Sequence, residues 1–154
     1  MPSYRITGFQ GGGDALTVTL AGRAAPVRVP VARADLVALA TKVADAFKRG
    51  EPIEVDLDGD ELRALDGPTE DLTARPATCA LPPGPPLSGF GTYANGDVGV
   101  GTGSQRVKIL RRARDRFVEN VAKLAAVWKR GDRALRTDEV PVDDGTDEIV
   151  AICL

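Results

Sequence analysis

The sequence predicts an α+β fold. It reads as a tandem duplication of a small hairpin-strand-helix-strand unit, pseudo-twofold, with a mostly antiparallel sheet and one helix per half. Three observations lead there. Arg33–Gly50 (RADLVALATKVADAFKRG) is echoed 81 positions later by Arg114–Gly131 (RDRFVENVAKLAAVWKRG), with seven of eighteen pairs identical. Leu36, Ala40, Val43 and Phe47 fall in phase with Phe117, Val121, Leu124 and Trp128, so each copy carries the single apolar stripe of a core-facing helix. The flanking segments alternate apolar and polar at period two, the pattern of half-buried strands. Self-similarity of this kind governs the reading of the whole chain.

The first unit is residues 1–73. Tyr4–Phe9 and Ala15–Leu20 read as strands around the Gly11–Asp14 turn, where glycines supply positive φ cheaply. Val27–Val31 alternates once more, but Pro30 cannot donate to a ladder, so this is an edge or terminal strand. The helix then ends on Lys48, Arg49 and Gly50, cations and a left-handed cap at its negative end, with Pro52 just beyond. Ile53, Val55 and Leu57 alternate with acids in another strand, and Asp60–Asp66 reads as one helical turn.

Residues 74–88 are a proline-rich linker of extended, polyproline-like character. The second unit, 89–154, opens with Gly89-Phe90, which matches Gly8-Phe9. Asn95-Gly96-Asp97 signals a tight turn between Gly91–Ala94 and Val98–Gly101. Beyond it two readings compete. Val107, Ile109 and Leu110 match the Val27–Val31 strand, yet Val107, Leu110, Phe117, Val121 and Leu124 also fit a helix beginning near Ser104. The chain closes with Glu139–Asp144, similar to Glu54–Asp58, and a strand over Ile149–Leu154.

Composition narrows the function classes. The 154 residues suffice for a substantial core, about 70% of the unfolded surface. Aromatics are 5%, so aliphatic side chains must fill that core. A net charge of −2 gives no bulk attraction to nucleic acid or anionic membranes. No apolar run approaches the roughly 20 residues that span a bilayer, and MPSYRITGFQ carries no apolar signal-like region. The expected setting is cytoplasmic, or within a virion-like assembly. Cys79 and Cys153 are expected as small buried thiols rather than a bridge. There is no histidine, which removes Ser-His-Asp and Cys-His catalysis and the commonest general base near neutral pH.

Three motifs carry chemistry in principle. Arg106, Lys108, Arg111, Arg112, Arg114 and Arg116 place six cations in eleven residues, a contact surface for phosphates or for a protein partner. No aromatics interleave, so base stacking is unsupported. Asp56, Asp58 and Asp60 with Asp143 and Asp144 are weak cation-site candidates; the calcium-loop template needs glycine where Glu61 stands. The Gly89–Ser104 stretch contains neither phosphate-loop fingerprint. Tyr4, Tyr93, Lys42 and Lys123 have no nucleophile placed beside them, so no catalytic residue and no cofactor is assigned. The first reading is a structural or protein-interaction subunit of a larger homo-oligomeric assembly, virion-like in kind; the absent histidine and catalytic motifs lean against an enzyme without deciding it. A nucleic-acid-binding protein using 106–116 is the first alternative. A carboxylate-based enzyme or cation-binding module is the second.

Overall fold

A computed structural model describes residues 3–63, 84, 86–102, 106–131 and 135–153. The first part holds β1 (Ser3–Gly12), β2 (Ala15–Leu20), β3 (Val27–Pro30), α1 (Leu36–Arg49), β4 (Glu54–Asp58) and β5 (Glu61–Leu62). The second holds β6 (Leu87–Thr92), β7 (Val98–Thr102), β8 (Lys108–Leu110), α2 (Phe117–Arg130), β9 (Arg136–Pro141) and β10 (Asp147–Cys153). The fold is α+β, with two helices against a ten-stranded sheet in order β3-β2-β1-β6-β7-β8-β10-β9, and β4 and β5 attached through β1. Every described pairing is antiparallel except β8 with β10.

The helices form where the apolar stripe runs. In α1 the buried face is Leu36, Leu39, Ala40, Val43 and Ala44; in α2 it is Phe117, Val121, Leu124 and Ala125. Gly50 and Gly131 end them in the left-handed conformation, at φ 69° and 72°, where a Cβ would be penalised. Asp35 stands at the first N-cap without capping, because its carboxylate is held by Arg33 at 2.5 and 3.1 Å.

One open choice is decided and two expectations need correction. Of the two competing readings beyond the turn the strand holds: Lys108–Leu110 is a strand and helix α2 begins at Phe117; Ser104 itself lies outside the described residues. The helical spacing from Val107 onward is coincidental, since Leu110 is buried by pairing with β7 while Val107 is 46% exposed. The expected helical turn over Asp60–Asp66 is absent from its described part, Asp60–Arg63, the rest lying outside the described residues: Leu62 pairs with Leu57 and buries, which favours extended backbone. Cys153 is disulfide-bonded, not a free thiol. The sequence has one other cysteine, Cys79, which lies outside the described residues, as does most of the 74–88 linker. Of that stretch, Leu87 and Ser88 already belong to β6.

One core cluster runs through both parts of the chain. They meet along β1 and β6, in the register Gln10↔Gly91, Gly11↔Phe90, Gly12↔Gly89. Above this seam Phe9 and Phe90 approach edge to face with ring centroids 6.1 Å apart. Phe9 then stacks on Phe47 of α1 at 6.3 Å, and Phe90 meets Trp128 of α2 at 5.5 Å. Lys48 Nζ donates to the carbonyls of Arg112 and Arg114 at 3.3 and 2.8 Å. Lys129 Nζ donates to the carbonyls of Val31 and Arg33 at 2.9 and 2.7 Å. Donors and acceptors in these last two sets are each 81 residues apart.

Candidate functional site

The basic run does not project as one cationic surface. It runs through β8 and the turn into α2, next to the acidic β9–β10 hairpin, and most of its charge is answered inside the chain. Arg106 pairs with Asp147 at 2.8 Å and also donates to the Thr146 carbonyl at 2.9 Å. Lys108, only 5% exposed, donates to both carboxylate oxygens of Glu139 at 2.5 and 2.6 Å. Arg111 reaches Asp97 at 3.8 Å and Asp144 at 4.0 Å, longer and weaker contacts. Arg112 donates to the Phe47 carbonyl at 3.1 Å, which also accepts the Gly50 amide at the end of α1. Arg114 grips Glu148 with two nitrogens, at 2.5 and 3.2 Å. Arg116 stands exposed at the N-cap position of α2.

These contacts set the titration of the hairpin. The Arg114 guanidinium, by hydrogen bond and by charge, holds the Glu148 carboxyl below its ordinary range against the opposing effect of burial. The same bond raises Arg114. Hydrogen bonds from Thr146, side chain then backbone, lower Asp144, which closes the Asp144–Thr146 turn at 2.6 and 3.0 Å.

The acidic candidates stay apart. Asp56 accepts the Ser3 hydroxyl on the β1–β4 pair, and Asp60 takes Arg23 at 2.8 Å. Asp58 and Asp143 are exposed, and Asp144 is held as above. Among the described residues no group of three or more Asp, Glu, His or Cys is placed to hold a metal ion.

The glycine-rich stretch contributes more than its sequence suggested. Gly89↔Gly101 and Gly91↔Gly99 face each other across β6 and β7. Phe90, Val98 and Val100 between them are buried toward the helices, so strand alternation turns the four glycines to the opposite face. With Gly12 of β1 they line an open trough of about 550 Å³. Tyr93 and Val107 border it, 48% and 46% exposed. The i, i+2 spacing of those glycines is the sequence signal for this face.

A second cleft, about 510 Å³, lies between the C-terminal end of α1 and the β6–β7 turn; Arg5, Phe47, Tyr93 and Arg112 are among its walls. Among the described residues no helix is long and apolar enough to cross a membrane. No family model, no curated protein and no solved structure matches this chain.

Proposed function

We propose that this chain is a structural, protein-interaction subunit of a larger homo-oligomeric assembly, virion-like in kind. We propose also that it is a tandem duplication whose halves are related by a pseudo-twofold axis. The duplication reading is supported by the seam. An antiparallel pair lying on such an axis must place each residue opposite its own counterpart at the centre, and Gln10 faces Gly91. The reciprocal Lys48 and Lys129 contacts agree with the same axis.

The assembly reading rests on one contrast. The charged side chains of the candidate sites mostly find partners inside the chain, whereas exposed apolar side chains stand at the border of the glycine trough. Of the four large apolar residues that stand exposed among the described residues, Tyr93 and Val107 border the glycine trough. The Tyr93 ring lies over Gly99, so a half-exposed aromatic side chain is presented on this face, and tyrosine is among the residues on which interface energy concentrates. Most soluble oligomers are homo-oligomers of closed symmetry. Nucleic-acid binding is disfavoured because Asp147, Glu139 and Glu148 already take cations that phosphates would need.

The test is Gly12→Arg. A Cβ at Gly12 meets nothing within 4 Å, and its φ is not positive, so the fold tolerates the change. The long side chain then fills the trough. The expected result is loss of the assembled species with the melting temperature of the subunit unchanged. An assembled species that persists unaltered counts against the reading.

A further inference from the structure

We infer that the second cleft, between the C-terminal end of α1 and the β6–β7 turn, is a binding site for a small organic anion: a carboxylate or phosphate carried on a flat apolar body. The site is separate from the glycine trough proposed above as a contact face, although Tyr93 borders both.

Charge separates the two cavities. The residues that line the trough include no Lys, Arg, Asp or Glu. The cleft has Arg5 and Arg112 in its wall against a single acid, Glu51, which Arg49 already holds at 3.2 Å. Arg5 stands on β1, opposite Glu54 in the β1–β4 ladder, yet among the described residues its guanidinium has neither a hydrogen bond nor an ion pair. Its five donors are open to a ligand. Arg112 is anchored by its bond to the Phe47 carbonyl, which occupies one nitrogen and leaves the rest of the fork. Gly96 gives that side chain room to cross the turn, because a Cβ there would stand 2.8 Å from Arg112 Cδ. At the 81-residue interval the counterparts of Arg5 and Arg112 are Pro86 and Val31, so neither cation belongs to the repeated pattern. A planar guanidinium matches the paired oxygens of a carboxylate or phosphate. Phe47, Pro52 and Tyr93 supply apolar and aromatic wall beside these cations. The volume of about 510 Å³ is that of a small-molecule cleft. An anionic head on a flat apolar body uses both parts of the wall, whereas a bare anion uses only one.

Phenyl phosphate is the probe, with inorganic phosphate and phenol as its two halves. Titration calorimetry on the full-length chain should show one phenyl phosphate bound per chain, at least about tenfold more tightly than either half. Arg5→Gln should weaken that binding by at least about tenfold. It should leave the melting temperature unchanged, because Arg5 is exposed and has no partner among the described residues. Arg116→Gln is the control. Arg116 is also exposed and without a partner among the described residues, but it stands at the N-cap of α2, outside the cleft wall. It removes the same charge and should bind the probe as the wild type does. Binding should also persist in Gly12→Arg, whose substitution lies in the trough, so assembly and anion binding are read separately. The inference is overturned if phenyl phosphate does not bind, or if either half binds as tightly as the whole. It is equally overturned if Arg116→Gln or Gly12→Arg weakens the probe as much as Arg5→Gln does.

Discussion

Gln10 lies opposite Gly91 in the β1–β6 ladder, and the two residues are 81 positions apart, the interval that also separates Leu36 from Phe117 at the starts of the helices. The same interval relates Phe9 to Phe90 and Phe47 to Trp128, so the aromatic chain Phe47–Phe9–Phe90–Trp128 is built outward from the seam. Phe9 and Phe90 are 3% and 4% exposed, whereas Phe47 and Trp128 are half-buried. Phe90→Ala should therefore destabilise the fold by about 3–5 kcal/mol and Phe47→Ala or Trp128→Ala by less, about 2–3 kcal/mol. Urea unfolding checks the order; equal costs at all three positions would mean the helix-end rings are deeper in the core than described.

Lys108 and Glu139 form the most buried ion pair of the basic run, with side-chain exposures of 6% and 22%. Thr137 donates a further hydrogen bond to the same carboxylate. Removing one partner strands the other in a poorly solvated place. Lys108→Met is expected to cost about 3 kcal/mol, and Lys108→Met with Glu139→Leu to recover at least half of that. A double-mutant cycle reads the coupling, and strict additivity would show that the pair contributes nothing.

Glu148 supplies a pH dependence. Its carboxyl is depressed chiefly by the Arg114 hydrogen bond, so the folded state holds its proton less tightly than the unfolded chain does. The stabilisation is complete above the ordinary glutamate value of about 4.3 and is lost as pH falls below it, through the lower folded value. Glu148→Gln should flatten the acid limb of stability against pH and leave it unchanged at pH 7 in slope. A variant with the wild-type acid limb would place the titrating group elsewhere.

Cys153 is disulfide-bonded, and the sequence holds one other cysteine. Denatured, unreduced protein prepared under oxidising conditions should therefore give no reaction with a thiol reagent, and two thiols per chain after reduction. Reaction before reduction would show that the bridge does not form. A structural bridge typically adds about 2–4 kcal/mol, so reduction should lower the melting temperature.

Local pattern made much of this fold legible. The stripes Leu36–Phe47 and Phe117–Trp128, the glycine caps and the Asn95-Gly96 turn are all signals contained within a few residues. What escaped has a non-local cause. Lys108 reads as a surface cation and is buried only because Glu139, distant in sequence, waits on β9. Leu62 reads as part of a polar helical turn and is extended because Leu57 pairs with it. The start of α2 was ambiguous because Val107 and Leu110 match either period, and pairing of β8 with β7 and β10 decides for the strand. The basic run was visible as charge, but its partners Asp147 and Glu148 meet it only through the parallel β8–β10 pairing. The glycine-lined outer face was visible only as a surplus of glycine.

The native mass in solution tests the assembly claim most directly. Light scattering on size-fractionated wild-type protein, across a range of concentrations, should give a discrete multiple of the 16.2 kDa chain that Gly12→Arg returns to a single chain. A wild-type mass of one chain at every concentration would contradict the account.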